Sequence, residues 1–179
     1  MLLRPVLAVL LLAGCPGDDD ALPQCDVLDA SNVVIVTTDY SNAMHDVSDG
    51  SSVPLIGAPQ GGHIMLVGAR IRTATACQLT ATAALRDPAT QRVIGLEERP
   101  LLLEMRDDGL AVPRQGLDAM PNVAVCPSAA STTAVYGHTY KLELTLTRDG
   151  SPVVTTSAMV TPSCDGDAYC MQDCGGASP

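Results

Sequence analysis

The C-terminal tail carries the densest group of reactive side chains in the chain. From Cys164 to Cys174 it reads CDGDAYCMQDC, which places three thiols beside three carboxylates. Zinc sites favour paired C-x2-4-C spacings and a fourth ligand, and only Cys170-x3-Cys174 fits that pattern. The carboxylates do not form the Asp/Asn-rich loop with a distal Glu that calcium sites use. We therefore expect disulfides in the tail and no metal site.

A second acidic stretch surrounds His45. Asp39, Asp46 and Asp49 flank it in DYSNAMHDVSDG, so the segment could hold a cation in a loop or form a His45–Asp46 acid/base pair. The same residue types are common turn formers. A solvated loop between strands is the simpler interpretation, and we expect it here.

The other two histidines give no metal-binding spacing. His63 follows Gly61-Gly62 and His138 precedes a predicted strand. A glycine pair cradles phosphate when a helix N-terminus follows it, but a strand follows here. The glycines therefore predict a bulge or a tight bend.

Motifs for nucleophilic catalysis are missing from the sequence. It contains neither G-x-S-x-G nor S-x-x-K, and no cysteine stands beside a histidine. The paired carboxylates Glu97-Glu98 and Asp107-Asp108 stand next to turns, where solvation accounts for them. We expect a protein that is not an enzyme, with no catalytic residue and no cofactor.

The first fifteen residues predict export and lipid attachment. MLLRPVLAVLLLAGC places Arg4 before a short apolar run and small residues before Cys15, as a signal peptide does. The apolar run is much shorter than the ~18 to 20 residues that span a bilayer. Leu12-Ala13-Gly14-Cys15 resembles the bacterial lipobox. The resemblance implies cleavage before Cys15 and acylation of that residue; an ordinary signal peptide is the alternative.

Acyl chains would hold the mature protein on a membrane. Each buried methylene contributes ~0.8 kcal/mol, so two or more chains anchor stably. Pro16 stands where some bacterial lipoproteins carry an aspartate for inner-membrane retention. By that analogy we expect an outer-membrane lipoprotein on the periplasmic or cell-surface side. The following Asp18-Asp19-Asp20 run predicts a flexible tether, with a surface-export signal as the alternative.

Assigning Cys15 to lipid leaves an even number of cysteines. The six disulfide candidates are Cys25, Cys77, Cys126, Cys164, Cys170 and Cys174. In an oxidising compartment they predict three disulfides, with fifteen possible pairings. Three of the cysteines lie in the tail and three in the body. If all pair within the chain, one or three bridges must join tail to body.

Composition excludes several binding classes. After cleavage, nine basic residues stand against twenty acidic ones, a net charge of about −11. Such a chain repels phosphate backbones, so we expect no nucleic-acid partner. With four Tyr and no Phe or Trp, the chain has few rings on which to stack sugars or bases. The core must be built from Val, Leu, Ile, Ala and Met.

Short apolar segments separated by turn residues predict an all-β domain. The candidate strands are 33–38, 53–56, 63–73, 77–86, 92–97, 101–105, 123–126, 140–147 and 153–160. In the fourth, Leu79, Ala81, Ala83 and Leu85 share one face. No stretch of the body sustains a helical period.

The strand that begins at Tyr140 is the clearest element. Tyr140, Leu142, Leu144 and Leu146 alternate with polar residues, and Asp149-Gly150 then predicts a tight hairpin turn. A tyrosine at the head of such a strand resembles the penultimate strand of immunoglobulin-like and fibronectin type III-like domains. The resemblance implies a β-sandwich of about 7–9 antiparallel strands in which Tyr140 makes a corner contact. A smaller β-barrel is the alternative.

The segment APQGGHIMLVGARIR, with the lipobox and the Cys-rich tail, resembles uncharacterised lipoproteins of myxobacterial genomes. That resemblance implies location and fold, and no activity. The expected organisation is a signal peptide (1–14), a lipidated tether (15–30), a β-sandwich (31–162) and a disulfide-bonded tail (163–179). We expect a membrane-anchored cell-envelope lipoprotein for adhesion, scaffolding or binding of an envelope protein. The alternative is a metal- or small-ligand-binding accessory lipoprotein of a transporter or sensor.

Overall fold

A computed structural model describes residues 22–26, 29–73, 75–127 and 134–175. These residues form an all-β domain with one short helix, so the predicted class is confirmed. The elements are β1 (Val33–Thr38), β2 (Met44–Asp46), β3 (Ser51–Pro54), β4 (Ile56–Gly57), β5 (His63–Arg72), β6 (Cys77–Arg86), β7 (Val93–Met105), β8 (Leu110–Pro113), β9 (Asn122–Cys126), β10 (Tyr140–Arg148), β11 (Ser151–Ser163) and α1 (Ala168–Cys174), with a 3-10 turn at Ala30–Asn32.

The strands of the described residues form one continuous, open sheet. Hydrogen bonds link them in the order β2-β1-β5-β8-β7-β6-β10-β11-β3, and β4 and β9 also pair with β5. This path folds over so that β9, beside β5, packs against β6 and β7. The two layers enclose a core of aliphatic side chains in which Tyr140 is the only aromatic residue among those described.

The predicted strand count and the all-antiparallel pairing were wrong in detail. Eleven strands are present in the described residues, and β3 runs parallel to β11. The predicted strand 53–56 divides at Leu55, whose N–H donates to the Ser163 carbonyl at 2.7 Å. As a result β3 joins the β11 layer and β4 joins the β5 layer.

One long strand replaces two predicted ones. The sequence predicts separate strands at 92–97 and 101–105 with Glu97-Glu98 next to a turn, but β7 is continuous from Val93 to Met105 and contains both glutamates. Pro100 lies opposite Thr80 of β6, and β8 pairs only with the last three residues of β7. Pro100 therefore stands where β7 has β6 as its sole strand partner, and an edge of this kind tolerates a missing N–H.

The β10–β11 hairpin matches its prediction closely. Tyr140, Leu142, Leu144 and Leu146 are buried in alternation with partly exposed polar residues. Both turn residues, Asp149 and Gly150, have positive φ. The Tyr140 hydroxyl donates to the carbonyl oxygen of Ala134 at 3.2 Å, so the expected corner contact is present.

Candidate functional site

The strand registers define two ends of the domain. Cys77 begins β6, and β5 ends at Arg72, five positions earlier in the chain. The turn between β10 and β11 lies there too, because Thr147 pairs with Thr80. We call this the tether end. The opposite end holds the start of β5, the end of β9 and α1, and we call it the cap end.

Residues 22–26 are fastened at the tether end. Cys25 forms a disulfide with Cys77. The Cys25 N–H donates to the Gln78 carbonyl at 3.1 Å, and the Gln78 N–H donates to the Pro23 carbonyl at 2.8 Å. Arg148 adds a bond from Nη1 to the Cys25 carbonyl at 3.2 Å. The last part of the predicted tether is thus pinned to β6, whereas Cys15 and the signal peptide lie outside the described residues.

The C-terminal tail closes the cap end. Asp167 caps α1, with its Oδ1 accepting from the N–H groups of Tyr169 and Cys170 at 2.9 and 3.3 Å. Cys170 and Cys174 lie one turn apart on the buried face of the helix. Cys170 bonds to Cys164, and Cys174 bonds to Cys126 at the end of β9. The expected parity holds, since one bridge joins tail to body.

A buried histidine lies against these disulfides. His63 is only 7% exposed and pairs in register with Cys126. Its Nδ1 has no hydrogen-bond partner among the described residues. Oδ2 of Asp173 lies 3.5 Å from this nitrogen, which is an ion-pair distance but too long for a hydrogen bond. One nitrogen of His63 and the sulfurs of Cys170 and Cys174 all lie within 4.8 Å of one another.

The glycine pair before His63 has the bending role that the sequence predicted. The β5–β9 register shifts between His63 and Ile64. Gly62 has a φ of +77°, and a Cβ there would lie 2.9 Å from the Cys126 carbonyl oxygen. The bend lets the loop pass close to Cys126, and this brings His63 to the cysteines. Sequence reasoning found the bend but missed the cluster.

Three of the four tyrosines are exposed at the cap end. Tyr40, Tyr136 and Tyr169 are 55%, 39% and 78% exposed. The Tyr40 hydroxyl donates to Oδ2 of Asp167 at 3.4 Å and accepts from the Gly57 N–H at 2.8 Å. The Tyr136 N–H donates to the Cys174 carbonyl at 3.1 Å. We define the cap surface as these tyrosines with the exposed side chains of Met171, Asp165 and Asp173 and the half-buried Asp167, all on or beside α1.

The acidic residues near His45 do not converge on one site. Asp39 accepts hydrogen bonds from the Ser41 hydroxyl and from Nε2 of His45, and these bonds hold its pKa far below the usual range. Asp46 pairs with Arg70. Asp49 accepts from the Met159 N–H at 2.8 Å. Each carboxylate has its own structural partner. The predicted loop was wrong in part, because Met44–Asp46 form β2 and pair with β1.

The remaining candidates also have local roles. Glu97 binds Arg99 and the Asn122 N–H along an open groove of about 510 Å³ between β7 and β9. Glu98 accepts from the Thr82 hydroxyl at 2.9 Å. His138 is exposed in the loop before β10, as predicted.

Within the described residues, no helix has the length and apolar character needed to cross a membrane. Comparison with protein-family models, with curated proteins and with solved structures found no match to this chain.

Proposed function

We propose that this protein is a membrane-anchored cell-envelope lipoprotein whose sandwich binds another envelope protein through the cap surface and catalyses no reaction. The observation that supports the proposal is that the N-terminal attachment and the exposed tyrosines lie at opposite ends of the domain. Cys25 is bonded to Cys77 at the tether end, and the exposed tyrosines lie at the cap end. A chain held in the outer membrane by acyl groups on Cys15 would present the cap surface away from the lipid.

The chemistry of the cap surface supports protein recognition. Tyrosine combines a large apolar ring with a polar tip and is enriched at interfaces. A chain with only four tyrosines places three of them in solvent at one end. Two disulfides hold α1 in place, so little conformational freedom is lost on binding. Adhesion and scaffolding would both use such a rigid surface.

The anchoring part is tested by Cys15→Ala. Cells that express the full chain are labelled with a radioactive fatty acid and then fractionated. We expect label on the wild-type protein and its recovery with the outer membrane, and loss of both in the variant. A variant that keeps its label and its membrane association contradicts the assignment of Cys15.

The binding part is tested by photo-crosslinking in cells. A photoreactive residue replaces Tyr169 in the cap surface or, as a matched control, Leu96, an exposed side chain of β7 that is 54% exposed. We expect a discrete protein adduct from position 169 and none from position 96. Adducts from position 96 alone, or from neither position, would count against the cap surface.

One observation favours the second candidate, a metal- or small-ligand-binding accessory lipoprotein. It is the cluster of His63 with the sulfurs of Cys170 and Cys174. Both sulfurs are in disulfides, and reduction would turn them into thiolates, which together with imidazole are the ligands that zinc prefers.

A further inference from the structure

We propose that the cluster of His63, Cys170 and Cys174 becomes a binding site for a divalent metal ion of the zinc type when the two cap disulfides are reduced. The proposal goes beyond protein binding by the cap surface and does not depend on it. In the oxidised chain these sulfurs are bonded to Cys164 and Cys126. Reduction would change covalent cross-links into metal ligands at the same place.

The spacing of the sulfurs fits a tetrahedral site. Zn–S bonds of ~2.3 Å at tetrahedral angles place two sulfurs about 3.8 Å apart. The sulfurs of Cys170 and Cys174 are 3.9 Å apart. Their separation by one helical turn keeps both on the buried face of α1, so the pair is already positioned before any metal arrives.

His63 supplies an independent observation. Its ring is buried, and Nδ1 lacks a hydrogen-bond partner in the described part of the chain, although a buried polar atom normally has one. Oδ2 of Asp173 lies 3.5 Å from Nδ1 and forms no hydrogen bond with it. The ring is therefore buried beside the two sulfurs with a nitrogen whose bonding capacity is unused in the described residues, and an ion bound in the cluster would use it.

The fourth ligand is available from the same disulfides. Each sulfur in the cluster is bonded to a partner, Cys126 or Cys164, which is released as a thiol on reduction. Two equivalents of a dithiol reductant each transfer two electrons and two protons, opening both bonds and becoming disulfides themselves. Binding of the ion then displaces one proton from each coordinating thiol to solvent, while neutral His63 contributes a nitrogen lone pair.

A bound metal ion would keep the cap end folded after the disulfides are reduced. Metal binding fixes the ligating side chains in the way that cross-links do. Coordination by Cys170, Cys174 and His63 would hold α1 against the start of β5. Tyr169 and Met171, which lie on the same helix, would then keep their positions in the reduced chain.

The test uses the full chain in detergent, without a histidine tag, with Cys126→Ser and Cys164→Ser. This pair removes both cap disulfides and leaves Cys170, Cys174 and His63 in place. Cobalt(II) is added under a phosphine reductant and inert gas. We expect one ion per chain, with thiolate-to-cobalt charge-transfer bands and the visible bands of tetrahedral cobalt, a water molecule taking the fourth position because this variant lacks the thiols of Cys126 and Cys164.

Two further substitutions in the Cys126→Ser, Cys164→Ser chain test whether His63 is a metal ligand. His63→Ala should weaken cobalt binding at least tenfold and shift the visible bands. The control, His138→Ala, removes an exposed histidine of the same end and should change neither. Equal binding by the His63 and His138 variants would overturn the role of His63.

The wild-type chain provides the check on folding. After reduction, zinc should protect Cys170 and Cys174 from alkylation, and circular dichroism should show the β-sheet structure retained or restored when zinc is added. If neither the reduced wild-type chain nor the serine variant binds cobalt or zinc, or if added metal leaves both unfolded and open to alkylation, the proposal is refuted.

Discussion

Replacing Cys25 and Cys77 together with alanine should destabilise the domain about twice as much as replacing Cys164 and Cys170. The first bridge spans a sequence separation of 52 and the second a separation of 6. Loop-closure entropy in the unfolded chain then gives about 4 kcal/mol for the first and about 2 kcal/mol for the second. All four cysteines are 0 to 1% exposed, so the loss of buried sulfur is similar and cancels in the comparison.

Urea unfolding of the two double variants measures the difference. The chain has no tryptophan, so circular dichroism or tyrosine fluorescence must follow the transition. With a urea m-value of about 2 kcal/mol/M, the midpoint should fall by about 2 M for the first pair and by about 1 M for the second. Double variants are used because a single unpaired thiol could exchange with the remaining disulfides.

The ratio of the two stability losses tests whether loop closure is the main effect of these bridges. If the Cys164/Cys170 variant loses as much stability as the Cys25/Cys77 variant, or more, loop closure is not the main contribution of these bridges. The fully reduced wild-type chain should be less stable than either variant. The three bridges together contribute about 10 kcal/mol on this argument, which is comparable with the whole stability of an ordinary domain.

Three further predictions concern the fold itself. Tyr140→Phe removes the corner hydrogen bond and should cost about 1 kcal/mol in urea unfolding. Gly95→Ala places a Cβ 2.1 Å from a backbone carbonyl oxygen of β9 and should cost about 3 kcal/mol or more of unfolding free energy. The control, Gly150→Ala, has a φ of +76° with open space around it and should cost about 1 kcal/mol. Equal losses would contradict the packing of β7 on β9. Because the pKa of Asp39 is lowered in the folded state, its contribution is present at neutral pH and begins to be lost as the pH falls below about 4, the pKa of the unfolded chain. Asp39→Asn should therefore destabilise the chain at pH 7, with a smaller gap to wild type at pH 3.

The sequence predicts those strands whose pattern is local. β1 and β6 have the predicted bounds, and the alternation after Tyr140 is realised residue by residue. β6 and β10 succeed because each alternates a buried face with a more polar face within its own length, and β1 succeeds because a short run of β-branched residues is typical of a buried strand. β2, β8 and α1 carry no such contrast. The helix has seven residues, too few to be stable alone, and the disulfides to β9 and to Cys164 hold it in place.

Only part of the candidate site could be predicted from the sequence, because its residues come together through the pairing of strands that are distant in the chain. Counting cysteines predicts that a bridge joins tail to body, but it cannot choose Cys126, because that choice depends on β9 ending beside the start of β5. The same meeting of strand ends brings His63 to Cys170 and Cys174. A histidine after two glycines looks like part of a bend, and it is part of one. Its proximity to the sulfurs follows from the bend, since Gly62 brings the loop against the Cys126 carbonyl. The feature that made His63 look purely structural in the sequence is therefore the one that places it in the cluster.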